Sequence, residues 1–296
     1  MVDKMTKVAV ISTNDRVYGV NKSLELLGLN PAKGKDVIFK PNFNTADPPP
    51  ASSSMETIKQ LIIKLKEMGA KSITIAERSG PAKTSDVFEK KGLNALAKDL
   101  GFHIVDLTAV PNGDYVLKNP EGNHWKEGFL FAKIYDNAEC IIETCCLKTH
   151  MYGGHFTISL KNAVGLVNKK NMAELHSSKH QREMIAEINC VYKPDLIVMD
   201  GVTTFVDRGP MEGTLVEANV FVAGTDKIAI DAVGVAILRI LRTTPEVTNG
   251  PIFEQDQIKR AVELGLGVRS PSNIEFLTDS EESEKLVSQI KEKLAQ

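Results

Sequence analysis

The sequence predicts an α/β protein: a mostly parallel, doubly wound sheet with helices on both faces and a β-hairpin insertion. Three observations predict it. Short β-branched runs alternate with longer amphipathic ones over most of the 296 residues. That strand–helix alternation is the pattern of parallel sheets wound with helices on both sides. In the middle, the rhythm breaks into two strand-like runs around "NPEGN", as a hairpin does.

Taken in order, "KVAVIS" (7–12) reads as a strand and "GVNKSLELLG" (19–28) has helical spacing. "DVIFK" (36–40) is a second strand. The short proline-rich loop "DPPPASSS" (47–54) leads into the helix "METIKQLIIKLKEMG" (55–69), with Ser52 to Ser54 as capping residues and Gly69 as the stop. "SITIAE" (72–77), a broken helix over 86–101 and the strand "FHIVDL" (102–107) follow. The hairpin covers 113–135, as an insertion or a small subdomain. "CIIET" (140–144), a helix near 180–191, "DLIVMD" (195–200) and "NVFVAG" (219–224) continue the pattern. The helix "DKIAIDAVGVAILRILR" (226–242), a helix near 252–264, the strand "NIEFL" (273–277) and a polar helix over 280–294 complete it. No linker or repeat interrupts the chain, so one α/β domain over 1–296 is expected.

Composition narrows the function classes. A hydrophobic share of 42% and a charged share of 25% describe an ordinary globular chain. A net charge of −2 gives no bulk attraction to nucleic acid or anionic membrane. No apolar run reaches the roughly 20 residues of a membrane span. The start shows no signal-peptide pattern, and a cytoplasmic protein is expected. The four cysteines, Cys140, Cys145, Cys146 and Cys190, contain no C-x-x-C pair and suit reduced thiols.

Ligands of open α/β sheets bind beyond the carboxyl ends of the strands, and here those positions are polar. Lys40 and Asn42 follow "DVIF"; Glu77, Arg78 and Ser79 follow "SITIA". "CCLKTH", with Lys148 and His150, follows "CIIET"; Asp200 follows "DLIVM"; Asp226 lies just past "NVFVAG". Five such ends suggest a shared pocket. Asp226 also suits a helix cap, and Asp231, inside an apolar helix, needs a partner. "SLKNAVGLV" reads as a short helical turn aiming Lys161 and Asn162 back at the pocket. His176 and His180, four apart, would share one helix face, a spacing compatible with a divalent metal ion. Neither G-x-G-x-x-G nor a P-loop follows any strand, which disfavours a dinucleotide or nucleotide enzyme.

Together "KPNFN", "AERSG", "LKTH", "TISLKNAVG", "DGVTTFVDRGPMEGT" and "AGTDKIAIDAVG" resemble the domain of unknown function 362 family, over about residues 36–240. The resemblance implies a protein type widespread in anaerobic bacteria and archaea, often fused to a ferredoxin-like iron–sulfur segment. This chain has no such cysteine run, so an iron–sulfur cluster is not expected. The resemblance implies no reaction. It does support treating Lys40, Asn42, Lys148, His150, Lys161, Asn162, Asp200 and Asp226 as one group.

The leading expectation is an enzyme acting on a small anionic metabolite, carboxylate or phosphorylated. Lys40, Lys148 and Lys161 would hold the anion, Asn42, Asn162 and Ser79 would line its site, and His150 would move a proton. Lys148 and Lys161 are lysines that burial can turn into bases. Asp200 and Asp226 would position a lysine or help hold a divalent cation. A non-catalytic anion- or metal-binding protein is one alternative; a redox protein using the four cysteines is another. The expected partner is a small anion, with a homo-oligomer left open.

Overall fold

The computed structural model describes residues 5–296; the first four residues, part of the start in which no signal-peptide pattern is expected, lie outside the described residues. The strands are β1 (Thr6–Ser12), β2 (Asp36–Lys40), β3 (Ser72–Glu77), β4 (His103–Asp106), β5 (Tyr115–Lys118) and β6 (Phe129–Ala132). They continue with β7 (Cys140–His150), β8 (His155–Thr157), β9 (Leu196–Phe205), β10 (Leu215–Gly224) and β11 (Ile274–Leu277). The helices of the first half are α1 (Arg16–Leu27), α2 (Met55–Glu67), α3 (Thr84–Lys90), α4 (Leu93–Leu100) and α5 (Lys133–Asp136). The middle of the chain adds α6 (Ser159–Asn162), α7 (Met172–Ser177) and α8 (Gln181–Ile188). Last come α9 (Lys227–Ile240), α10 (Pro245–Thr248), α11 (Asp256–Glu263) and α12 (Glu281–Leu294).

The main sheet runs β11-β1-β10-β9-β7-β2-β3-β4, with β8 folded back on β7. Strands β2, β3, β4, β7 and β9 are mutually parallel, as the strand–helix alternation predicts. Strand β10 runs against both β9 and β1. The carboxyl end of β10 therefore lies at the sheet edge opposite to those of β2, β3, β7 and β9. The hairpin is present as a separate two-stranded antiparallel sheet, Tyr115 opposite Ala132.

Period-2 alternation sends side chains to two cores. Phe39, Ile75, Cys140, Ile142 and Val198 face α1 to α4 together with Val20, Leu24, Ile58 and Leu61. On the other face, Val8, Val222, Met199 and Leu147 meet the apolar α9. Ile38, Ala76 and Ile141 are covered by Phe129, Phe131 and Trp125 of the hairpin segment. The hairpin thus roofs the part of the sheet that α9 does not reach. Ser54 caps α2 as its sequence position suggests, its side chain accepting from the Glu56 amide.

Strand β7 corrects the sequence reading. The sequence reading ends it with "CIIET" at Thr144; the strand instead continues through "CCLKTH" to His150, every residue buried. Likewise β9 continues past Asp200 to Phe205. Both are interior strands, so polar side chains in them need internal partners.

Candidate functional site

Those partners form a buried chain of hydrogen bonds along the carboxyl edge. Lys40, 1% exposed at the end of β2, gives its three protons to Glu77 Oε2 (2.7 Å), Pro41 O (2.6 Å) and Asn162 Oδ1 (3.1 Å). Asn42 Nδ2 donates to the same Asn162 oxygen at 3.1 Å. Asn42 Oδ1 in turn accepts from Lys148 Nζ at 2.8 Å. Asn162 Nδ2 reaches back to Glu143 Oε1 and Thr144 O, both at 3.3 Å. Four sequence-predicted residues are thereby joined: Lys40, Asn42, Lys148 and Asn162.

Above this chain opens a cavity of about 900 Å³. Its walls carry Lys40, Arg78, Lys148, Lys161, Lys169, Lys179 and Arg182 against one carboxylate, Glu77. Most of the buried cations are already used. Arg78 donates to Val167 O, Ser79 O and Val164 O, holding the segment after α6. Arg182 pairs with Asp256.

Lys161 differs. It is 8% exposed, and no carboxylate pairs with it among the described residues. Burial lowers its ammonium to about 8, helped by the nearby cations Lys148 and Arg78. His150 lies beside it, also 8% exposed, its Nδ1 without a hydrogen-bond partner. Burial first, then Lys161, Lys148 and His176, hold this imidazole well below its ordinary value. It is therefore a neutral ring, with Nδ1 free to accept a hydrogen bond. Gly154 packs over both groups: a Cβ there would fall 2.7 Å from Lys161 Cε and 3.0 Å from His150 Nδ1. The short helix carrying Lys161 is anchored from behind by Asp231, whose Oδ1 accepts from the amides of Ser159 (2.8 Å) and Leu160 (3.2 Å). Asp231 finds backbone and Gln257 as its partners, neither a lysine nor the cavity.

Other expected members lie elsewhere. Asp200 is inside β9 and turns to the α1–α2 face, where Arg16 Nε (2.9 Å) and Thr57 Oγ1 (2.7 Å) satisfy it; it does not line the cavity. Asp226 is at the opposite sheet edge because β10 runs in reverse. Its oxygens accept from Ala229 N and Val268 N, the helix-cap role. Ser79 is fully buried near the cavity floor, its Oγ unpaired, but is not part of the wall.

His176 and His180 do not share a helix face, since α7 ends at Ser177 and Ser178 is extended. His176 lines the cavity and accepts from Gln181 Nε2. His180 stacks on His124 at 4.3 Å instead. No grouping of three or more His, Cys, Asp or Glu suited to a metal ion occurs among the described residues. The thiols do not fit a cluster: Cys140 faces one core of the sheet and Cys145 the other. The cavity wall also holds residues that sequence reasoning did not single out, among them Tyr152, Met172 and Met211. As isolated apolar side chains they look like any core residue.

No helix among the described residues is long and apolar enough to cross a membrane. Thylakoid-associated protein sll1697 of Synechocystis sp. is 26% identical over 214 residues, 70% of this chain and 64% of that protein. The chain thus spans a little under two thirds of that relative's length. The lactate racemase apoprotein of Thermoanaerobacterium thermosaccharolyticum is similar with a TM-score of 0.49 at 14% identity, over 74% of this chain and 54% of that one. The family model for the domain of unknown function (DUF362) matches residues 37–236, a span that takes in the whole hydrogen-bonded chain from Lys40 to Asn162 together with His150 and Asp231. With more than half its length inside that match, the chain belongs to the DUF362 family.

Proposed function

We propose that the cavity binds a small anionic metabolite, a carboxylate or a phosphorylated compound, and that the protein is an enzyme acting on it. One observation carries this reading: Lys161 is a buried cation without a counter-ion in a cavity whose wall is strongly cationic. A buried charge left unpaired is costly unless a ligand supplies the partner. Lys161 anchors the anion. His150, neutral and with Nδ1 free, takes a proton from the bound compound or returns one. A cation and a neutral ring side by side suit such a division of labour. Lys40, Asn42, Lys148 and Asn162 hold the floor of the site and do not grip the ligand, because their polar atoms are committed to one another.

The test uses a panel of carboxylates and phosphate esters in D₂O, with melting curves for binding and NMR for deuterium uptake or turnover. Lys161→Met should lose the ligand-induced thermal shift. His150→Asn should keep the shift and lose the turnover. A panel that never shifts the wild type would sink the reading; binding with no chemistry would leave the non-catalytic carrier in its place.

A further inference from the structure

We infer that the ligand is amphipathic, with its acidic group at Lys161 and an aromatic or aliphatic body lying along the mouth of the cavity against Tyr152. The inference rests on the anion-binding reading above and narrows its ligand class.

Size is the first ground. The cavity measures about 900 Å³, near the top of the roughly 300–1,000 Å³ range that encloses drug-sized ligands. A two- or three-carbon acid displaces only a few waters of about 30 Å³ each. Most of the space would stay wet around such a ligand.

The second ground is the apolar part of the wall. Lys161 and His150, each 8% exposed, are the buried lining groups left to meet an acid. Beside the exposed cations Lys169 and Lys179, the wall carries apolar surface from Val164, Met172, Pro210, Met211 and Tyr152. Tyr152 is 55% exposed, so the ligand would give it cover it does not have from the protein. Apolar area covered in this way contributes roughly 25 cal/mol per Å².

Contact is the third ground. The Tyr152 ring meets His150 edge to face, centroids 5.8 Å apart at 78°. The apolar wall therefore begins where the proton-accepting group ends, and one molecule can touch both. This wall is fixed in place before any ligand arrives. Met151 N donates to Gly209 O at 2.9 Å, and Gly209 N donates to Thr149 Oγ1 at 3.2 Å, so the tip between β7 and β8 is tied to the segment bearing Pro210 and Met211. Methionine beside an aromatic ring suits organic bodies of varied shape.

The experiment is a titration series at pH 7 with acetate, citrate, hexanoate and phenylacetate, then inorganic phosphate and phenyl phosphate, read by calorimetry. Hexanoate and phenylacetate should bind at least about tenfold tighter than acetate, since two buried methylenes are worth about that factor. Phenyl phosphate should exceed phosphate in the same way. Tyr152→Ser should remove most of that gain and leave acetate affinity within about twofold; Tyr152 is exposed, so the variant folds. Lys161→Met should weaken every probe. Equal affinity for acetate and hexanoate would overturn the inference while leaving anion binding intact. So would a citrate complex tighter than the phenylacetate one, which would mean that added charge, not apolar area, decides affinity. If neither acetate, phosphate nor any larger probe binds the wild type, the inference falls together with the reading beneath it.

Discussion

Lys148 Nζ lies 2.8 Å from Asn42 Oδ1, a bond that ties β7 to the turn after β2. Its other two protons go to the carbonyls of Pro50 (2.8 Å) and Ala51 (2.5 Å). An ammonium with three donors has none left for a ligand. Lys148 is thus a brace between the central strand and the proline-rich loop. Its position suggested an arm on the ligand; at 1% exposure its head is buried among protein acceptors.

Lys148→Met should accordingly destabilise the protein by about 2–4 kcal/mol, because each buried acceptor left without a donor costs about 1–3 kcal/mol. Urea unfolding measures it. A variant as stable as wild type would mean that the three acceptors find water.

Lys161→Met should do the opposite, raising stability at pH 7 by about 1–3 kcal/mol while abolishing anion binding. The ammonium is lowered from 10.5 to about 8 by burial. Below pH 8 both folded and unfolded chains hold the proton, and the cost of the buried charge is felt in full. As pH rises from 8 to 10.5 the folded chain releases it first, so wild-type stability gains on the mutant and the gap closes. Anion affinity follows the proton in the other direction, present below about 8 and lost above it. Melting curves with and without phenyl phosphate across this range test both signs.

Gly154→Ala should weaken binding at least about tenfold at a stability cost near 1 kcal/mol, since the flexible lysine stem can yield where packed cores cannot. The new methyl would stand 2.7 Å from Lys161 Cε and displace its ammonium. Gly165→Ala is the contrast. Its methyl would meet Glu77 Oε1 at 2.5 Å and Lys40 Nζ at 3.1 Å, breaking a buried ion pair at a cost of about 3 kcal/mol or more. Calorimetry and denaturation together separate the two effects.

Asp231→Ala should cost about 3 kcal/mol, because the amides of Ser159 and Leu160 lose their acceptor. Below about pH 4, where the acid is neutral in both states, Asp231→Asn should stay within about 1 kcal/mol of wild type, because it keeps an acceptor for those amides and faces Gln257, whose unpaired Oε1 can turn to the new amide. Burial raises Asp231 to about 8. The unfolded chain loses this proton near pH 4 and the folded chain keeps it to about 8, so wild-type stability falls over that interval. The asparagine variant should lack that part of the decline.

Much of the architecture was legible because apolar periodicity reports element type directly. "DVIFK", "SITIAE" and "METIKQLIIKLKEMG" became β2, β3 and α2 within a residue or two. Strand direction is not written in that periodicity: "NVFVAG" reads alike in either orientation, and its reversal moved Asp226 to the far edge. Strand length failed where polar residues were buried. "LKTH" resembles a loop by composition, yet its backbone pairs with β8 and its buried lysine is satisfied by Asn42, Pro50 and Ala51, which makes a strand interior of it. Of the candidate site, Lys40, Asn42, Lys148, His150, Lys161 and Asn162 were found from strand ends and motif order. Which of them are free and which are committed depends on contacts between residues more than 100 positions apart, as between Lys148 and Asn42, and no local pattern carries that.

Strand β1 has its two neighbours, β10 and β11, near the other end of the chain: Ser12 opposite Val220, Thr6 opposite Ile274. During synthesis β1 leaves the ribosome long before either partner exists. The nascent chain can assemble β2, β3, β4 and β7 while β1 waits, its backbone N–H and C=O groups unpaired on both sides. Such a strand is open to wrong partners, in the same chain or a neighbouring one, and closing so distant a pairing is slow. The β1 seam therefore cannot be completed until the last strand has been made, and a chaperone that sheltered the first strand until then would guard the part of the sheet that waits longest for its partners.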